Sequence, residues 1–205
     1  MPPFTPSDTA FLLIDHQVGT MQLIKNIDSA HAGRMAVALA KAAKIMGVPV
    51  VMTSSQEDRI QGPLMPELEQ VLPEAFASRV KRAGVVNAWT DPAFRNAVQA
   101  TGRRNLVMAG VTTDVCLVFP AIDAVQEGFR VQAVMDASGS PFELSEDMAR
   151  RRMEASGVIL TATNTLVAEM AQNWSTANGS QLIQLLFTDV LPPVTPSVVA
   201  KGAAI

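Results

Sequence analysis

A lone cysteine, an aspartate and two adjacent basic residues could together form a nucleophilic site in this chain. Cys116 is the only thiol; it follows a short apolar run and opens a stretch of helical period. The N-terminus of a helix presents free N–H groups and a partial positive charge, which can lower the pKa of a thiol and hold a developing oxyanion. Cys116 is therefore a candidate nucleophile. The alternative is a small buried core residue, which is the common role of a lone cysteine.

Asp15 ends the apolar run 11–14. A carboxylate that leaves a buried strand loses hydration, which raises its pKa and suits a general base that accepts a thiol proton. The alternative role is that of a turn or N-cap aspartate. Lys81 and Arg82 lie where a strand is expected, and only one of them can point into a site because side chains alternate between the faces of a strand. The alternative is that both are protective charges on an edge strand.

Short apolar runs alternate with stretches of helical period, which predicts an α/β protein with a mainly parallel sheet. Four glycines, at positions 47, 102, 128 and 157, each end a helix directly before a strand. Ligands of such sheets bind beyond the carboxyl ends of the strands, where the candidate residues fall. The predicted strands are 11–15, 48–54, 79–86, 106–109, 130–135 and 158–161. The predicted helices are 30–46, 91–100, 116–127, 145–156 and 164–174.

The string AGVTTDVC, which ends at Cys116, resembles the nucleophile motif of the isochorismatase-like cysteine hydrolases. Four further stretches, in the right order along the chain, resemble the YcaC-like branch of that family. These stretches are LIDHQ at 13–17, GPLMPEL at 62–68, NAW at 87–89 and DASG at 136–139. The resemblance implies a three-layer α/β domain with a six-stranded, mainly parallel sheet of Rossmann-like order.

The resemblance also implies a catalytic triad of an aspartate, a basic residue and a cysteine. Asp15 and Cys116 match two of its positions. Counting back from the NAW stretch places Arg82 at the third, with Lys81 one residue away, whereas much of the family has a lysine there. Because arginine does not readily give up its proton, Arg82 would act as a fixed cation.

Other parts of the site also follow from the resemblance. It implies a cis peptide between Val111 and Thr112, and an oxyanion hole formed by the N–H groups of Thr112 and Cys116. The residues that we predict to line the substrate pocket are Gln17, Ser54, Asn87, Trp89 and Phe119.

No metal and no cofactor are expected. The two histidines, His16 and His31, have no metal-binding spacing, and His16 is predicted to line the site or to support Asp15. The Asp-x-His metal motif of the related nicotinamidases is replaced by TSSQE at 53–57. The sequence also lacks a dinucleotide fingerprint, a P-loop and a serine nucleophile elbow.

Charge and hydropathy limit which kinds of partner the chain can have. The net charge is −3 and no run of about 18 apolar residues occurs, so we expect neither nucleic acid nor membrane as a partner. One cysteine and the absence of signal-peptide features predict a cytoplasmic protein.

We predict one domain over 1–188, followed by a proline-bearing tail over 189–205. The 48% hydrophobic content and the long connection 55–78 predict a homo-oligomer, and the resemblance implies rings such as octamers.

The leading hypothesis is a hydrolase that cleaves a small amide-like or related C–N substrate through a thioester on Cys116. A second hypothesis is a non-covalent, isochorismatase-type ether hydrolase in which Asp15 acts as an acid. A third, from another class, is an oligomeric stress-related binding protein whose Cys116 senses oxidants.

Overall fold

The computed structural model describes residues 2–194, which contain one six-stranded sheet. The strands are β1 (Thr9–Ile14), β2 (Val50–Ser55), β3 (Val80–Arg82), β4 (Asn105–Gly110), β5 (Arg130–Val134) and β6 (Ile159–Thr161). Their spatial order is β3-β2-β1-β4-β5-β6, and every neighbouring pair is parallel. The predicted fold class and Rossmann-like strand order are therefore confirmed.

Helices join the strands. They are α1 (Ser29–Met46), α2 (Pro66–Val71), α3 (Pro73–Ala77), α4 (Pro92–Ala100), α5 (Val118–Gln126), α6 (Glu143–Ala155), α7 (Thr163–Ala171) and α8 (Ala177–Leu185). The prediction of a loop over 55–78 is wrong for α2 and α3, since Pro66 and Pro73 stand in their first turns, where a missing N–H is tolerated. Helix α8 was not predicted; the Thr176 hydroxyl caps it by accepting from the Gly179 N–H.

The sheet side chains alternate between two hydrophobic layers. Phe11 and Leu13 of β1 belong to a cluster with residues of α1, α7 and α8, whereas Leu12 and Ile14 belong to a second cluster with residues of α4, α5 and α6. Helices therefore cover both faces of the sheet, which makes the fold a three-layer one. Such two-sided burial explains why the central strands read as continuous apolar runs.

The position of α1 creates the crevice in which a site can form. The Asp28 carboxylate caps α1 by accepting from the N–H groups of Ala30 and His31. The helix carries the chain from β1 to β2 on one side, whereas β4 lies on the other side of β1. The carboxyl ends of β1 and β4 thus form the topological switch point, where open α/β sheets bind ligands.

The predicted tail over 189–205 lies mostly outside the described residues. Its first two residues end a helical turn, Leu186–Val190, and Lys41 of α1 pairs with Asp189 at 2.8 Å. Within residues 2–194, no helix has the length and hydrophobicity needed to cross a membrane.

Candidate active site

Asp15 follows the last residue of β1 at the switch point. Its φ of 57° lies in the left-handed region, and its backbone is held on both sides. The Asp15 N–H donates to the Thr53 carbonyl at 2.9 Å, and the Thr20 hydroxyl donates to the Asp15 carbonyl at 2.7 Å. Asp15 is 1% exposed. The chain thus turns sharply out of the strand and fixes a buried carboxylate at its end.

Arg82, the last residue of β3, is the cation that meets this carboxylate. Its Nη2 donates to Oδ2 of Asp15, and both side chains are 1% exposed. The Nε donates to the Thr53 hydroxyl at 3.1 Å, while Nη1 donates to the carbonyls of Val85 and Val86. These contacts hold the guanidinium in one position. They also explain why β3 ends at Arg82 rather than at 86 as predicted, since the chain turns back to bind the side chain.

Lys81 lies on the opposite face of β3. Its side chain is 61% exposed, and its Nζ pairs with Glu57 at 3.2 Å. Arg79 binds the same carboxylate at 2.6 Å, which lowers the pKa of Glu57 to about 2. The structure therefore places Arg82 beside Asp15 and directs Lys81 away from it, as strand alternation requires.

Cys116 lies in a π-helical turn, Thr113–Leu117, that joins β4 to α5. The expected cis peptide between Val111 and Thr112 is present. The Cys116 N–H donates to the Thr112 carbonyl at 2.7 Å. One of the two N–H groups predicted for an oxyanion hole is thus already bonded within the turn.

The pKa values of the thiol and the carboxyl are both raised. Burial raises the pKa of Cys116, and the negative charge of Asp15 raises it further. Burial also raises the pKa of Asp15, against the opposing effect of Arg82. The prediction of a lowered thiol pKa at a helix start is therefore wrong for the resting protein, because desolvation outweighs the helix dipole. The Oδ1 atom of Asp15 is buried and has no hydrogen-bond partner among the described residues.

Two predicted pocket residues bind the protein itself. The Gln17 amide accepts from the Ser55 N–H at 2.8 Å and donates to the carbonyls of Ser55 and Gly62. The Ser54 hydroxyl donates to Glu57 at 2.7 Å. Gln17 thus holds the loop after β2 by hydrogen bonds. Ser54 binds Glu57, which also pairs with Lys81, and it makes no hydrogen bond to Asp15 among the described residues.

The remaining three pocket candidates also make structural contacts. Asn87 donates to Asp123 at 2.7 Å and accepts from the Trp89 N–H. Trp89 is 2% exposed and packs edge-on against Phe129, with ring centroids 5.4 Å apart. Arg152 lies over the ring of Phe119 at 5.3 Å. Asn87, Trp89 and Phe119 therefore each have a protein contact of their own, and their contact with substrate stays a prediction.

His16 and Thr53 are the supporting residues. His16 is fully buried, and its Nε2 donates to the Ala137 carbonyl at 2.9 Å, which ties the end of β1 to the turn after β5. Burial lowers the pKa of His16 to about 4, so the ring is neutral. The role of Thr53 was missed because the hydroxyl acts through Arg82; strand pairing of β2 with β3 is the signal that could have indicated it.

The cavities in the described part of the chain include ones of about 1070, 430 and 510 Å³, and these three are not lined by Asp15, Arg82 or Cys116. The 430 Å³ cavity comes nearest in sequence, since Asp114 and Val118 line it two residues before and after Cys116. Among residues 2–194, no group of three or more His, Cys, Asp or Glu side chains is arranged to hold a metal ion.

The three-layer α/β fold carries a buried carboxylate, a fixed cation and a thiol at its switch point, and together with the family match it identifies the chain as a hydrolase. The family model of the isochorismatase domain matches residues 9–165, and the chain belongs to the isochorismatase family.

Two relatives illustrate its place in that family. The chain is 36% identical over 186 residues to the probable hydrolase YcaC of Escherichia coli (strain K12), covering 91% of this chain and 88% of the relative. The solved structure of that YcaC, described as an octameric hydrolase of unknown specificity, has a TM-score of 0.86 and covers 92% of this chain and 91% of the other. YcaC from Pseudomonas aeruginosa, solved with hexane-2,5-diol and covalent acrylamide, is 35% identical, with a TM-score of 0.86 and 92% coverage of both chains.

Proposed function

We propose that this chain is a cysteine hydrolase that cleaves a small amide-like or related C–N substrate through a covalent thioester. The observation that carries the proposal is the meeting of a buried carboxylate with a fixed cation beside a thiol at the switch point of the sheet. The free Oδ1 of Asp15 is the acceptor for the thiol proton, because Oδ2 is held by Arg82.

Proton transfer from Cys116 to Asp15 leaves the total charge of this group unchanged. Before transfer, Arg82 is positive, Asp15 is negative and the thiol is neutral; after transfer, Asp15 is neutral and the thiolate is negative. Arg82 therefore stabilises the anion in both states from one fixed position. The raised pKa of Asp15 favours its acceptance of the proton.

The chemical steps follow from that transfer. The thiolate attacks the substrate carbonyl carbon, and the electron pair of the C=O bond moves to its oxygen. Collapse of this intermediate breaks the C–N bond, and Asp15 gives its proton to the departing amine. Water then attacks the thioester, which releases a carboxylic acid and regenerates the thiol.

The oxyanion is held by the Thr112 N–H. The Cys116 N–H is engaged with the Thr112 carbonyl in the resting protein, so it can contribute only if that bond opens when substrate binds.

We further propose that the functional form is a cytoplasmic homo-oligomer. The support is the octameric state described for the Escherichia coli YcaC structure, at 36% identity, together with the apolar residues that this chain exposes.

A panel of small amides with ammonia detection tests the catalytic proposal. The Cys116→Ala variant should retain the fold, measured by circular dichroism, and lose roughly 10⁴-fold or more of its turnover. Acyl transfer should be visible by mass spectrometry as an adduct on Cys116 of the wild type. Amide turnover that survives in Cys116→Ala would contradict the thioester, and cleavage of a vinyl ether by that variant would favour the non-covalent ether hydrolase. Reversible oxidation of Cys116 without any turnover would favour the redox-sensing protein.

A further inference from the structure

A cavity of about 430 Å³ lies between helix α6 and the turn that carries Cys116. Asp114 and Val118 line it from the side of the turn. Each of them is two residues from Cys116, which is roughly half a turn of helix, so their side chains point away from the thiol. The thiol, by contrast, lies close enough to Asp15 for the carboxylate to raise its pKa. The cavity is therefore separate from the proposed active site.

Asp114 brings a carboxylate oxygen without a partner to this cavity. Its Oδ1 atom is buried and accepts no hydrogen bond within residues 2–194. Its backbone is held in place, because the Asp114 N–H donates to the Ser140 hydroxyl at 3.2 Å. A buried polar atom that has lost its hydration without gaining a hydrogen bond destabilises the protein. The Asp114 carboxylate is thus an acceptor for an N–H group of a ligand.

Arg152 brings a cation to the same cavity. Its guanidinium lies over the ring of Phe119 at 5.3 Å, and this cation–π contact holds the side chain in place. The neighbouring Arg151 pairs with Asp147 at 3.0 Å, whereas Arg152 forms no ion pair with any residue that the structure describes. The charge of Arg152 is therefore available to an anion.

The two charges lie at opposite ends of the cavity. The Ser140 hydroxyl accepts from the Asp114 N–H and donates to Glu146 at 2.7 Å, which places Asp114 beside the first turn of α6. Arg152 stands in the last turn of the same helix. Ser145 also lines the cavity, and the run of helix from Ser145 to Arg152 corresponds to about 10 Å.

Between the two charges, the walls of the cavity are apolar. Val118 and Ala149 line it and are buried, whereas Phe142 and Leu144 line it with 69% and 72% of their surface exposed. A hydrocarbon chain in the cavity removes part of this exposed surface from water, which favours binding. An acceptor, an apolar stretch and a cation thus follow one another along the cavity.

We propose that this cavity binds a small linear zwitterion, with its ammonium group at Asp114, its carboxylate at Arg152 and an apolar chain between them. An ω-amino acid is a molecule of this kind. The ammonium group donates to the buried Oδ1 of Asp114, and the Arg152 guanidinium binds the carboxylate by charge-assisted hydrogen bonds. The site is distinct from the proposed hydrolase site and does not depend on it.

Isothermal titration calorimetry of the full chain with 6-aminohexanoate tests this assignment. We expect saturable binding. Arg152→Gln should weaken it at least tenfold, whereas Arg151→Gln is the matched control: Arg151 is not among the residues that line the cavity, so the Kd should be unchanged. Equal affinities of the wild type and Arg152→Gln overturn the assignment, and so does a wild type without saturable binding.

The Asp114 end is tested with simpler ligands and a second variant. Hexylamine lacks the carboxylate and hexanoate lacks the amine, so each should bind at least tenfold more weakly than 6-aminohexanoate. Asp114→Asn keeps the size of the side chain and should weaken the binding of 6-aminohexanoate and hexylamine but not that of hexanoate. Hexylamine that binds the wild type and Asp114→Asn equally well overturns the role of Asp114.

Cys116→Ala distinguishes this cavity from the Asp15 site. Because the thiol points away from the cavity, the variant should bind 6-aminohexanoate with the wild-type Kd. Loss of binding in Cys116→Ala would place the ligand beside Asp15 and overturn the assignment. Unchanged binding supports it whether or not the protein cleaves amides.

Discussion

Nη2 of Arg82 donates a hydrogen bond to Oδ2 of Asp15, and this ion pair is almost completely removed from water. The other guanidinium nitrogens are held by the Thr53 hydroxyl and by the carbonyls of the loop after β3. Arg82 therefore has no freedom to move towards a substrate. In the proposed mechanism its effect comes through the carboxylate and through a fixed positive charge.

Replacing Arg82 should therefore impair both folding and turnover. Arg82→Met leaves the Asp15 carboxylate buried without its partner, which should lower the free energy of unfolding by about 3–5 kcal/mol. Arg82→Lys keeps the charge but cannot bind Asp15, Thr53 and the loop carbonyls together, so turnover should still fall strongly. Urea denaturation and turnover assays measure the two effects.

Lys81→Gln is the matched control at the neighbouring position. Its exposed ion pair with Glu57 should contribute less than about 1 kcal/mol, and turnover should remain at the wild-type level. If Lys81→Gln lost turnover while Arg82→Lys retained it, the cation that turnover requires would be Lys81 and not Arg82.

Asp15→Asn should separate thiol reactivity from catalysis. The carboxylate raises the pKa of Cys116, so removing its charge should lower that pKa and accelerate alkylation by iodoacetamide at pH 8. Turnover should nevertheless be lost, because the general base is gone. Slower alkylation in Asp15→Asn would show that the carboxylate activates the resting thiol instead of suppressing it.

The wild-type thiol should react more slowly in the folded than in the unfolded protein. Its folded pKa lies above the unfolded value of about 8.5, so the folded chain holds its proton more tightly. The protonated thiol therefore stabilises the folded state. This contribution to the free energy of unfolding is complete below pH about 8 and declines as the pH rises further. Alkylation rates against pH, in buffer and in guanidinium chloride, measure the difference. A folded thiol that reacts faster than the unfolded one at pH 7 would contradict it.

His16 should make the protein sensitive to acid. Its pKa falls from 6.5 to about 4 on burial, since a second proton on the ring would face no acceptor at Nδ1. The neutral ring is favoured in the folded state, so stability is complete above pH 6.5 and is lost as the pH falls towards 4. The shift corresponds to about 3 kcal/mol of unfolding free energy.

The pH dependence of unfolding for His16→Gln should be flatter between pH 6.5 and 4, with His31→Gln as the control that retains the wild-type slope. Equal slopes for His16→Gln and the wild type would show that the buried imidazole is not the sensitive group.

Gln17→Ala should reduce stability rather than substrate affinity. The change leaves the Ser55 N–H and the Gly62 carbonyl without their partner, which should cost about 2–3 kcal/mol. Gln22, which makes an exposed hydrogen bond to the Val18 carbonyl, supplies the control: Gln22→Ala should change stability by less than about 0.5 kcal/mol. A raised KM at unchanged stability would instead mean that Gln17 contacts substrate.

Much of the fold could be predicted from the sequence because local signals agree with the tertiary structure. The apolar strand runs and the helix–glycine–strand pattern place all six strands, and strand alternation correctly limits the inward cation to one of Lys81 and Arg82. Helices α2, α3 and α8 escaped prediction, since prolines suggested a loop and α8 follows no strand signal. Helices α2 and α8 pack against α1, and α3 packs against α2 and β2, which sequence periodicity does not show.

The environment of the site was less predictable. Side chains such as Gln17 and Asn87 fall on the expected loops, yet their hydrogen bonds depend on groups about 38 residues away in sequence, as for Gln17 and Ser55. The thiol pKa likewise depends on burial and on a carboxylate from another strand. The position of Cys116 at a helix start therefore predicted a lowered pKa, whereas the pKa in the folded protein is raised.

The strand lengths of the sheet carry a consequence for how this protein avoids aggregation. Both edge strands, β3 and β6, have only three residues, whereas the two central strands have six. A short edge offers few free N–H and C=O groups, and the ions along β3 interrupt it further. Uncontrolled growth into fibrils by strand addition is thereby discouraged, so copies of this chain can meet at high concentration without joining their sheets.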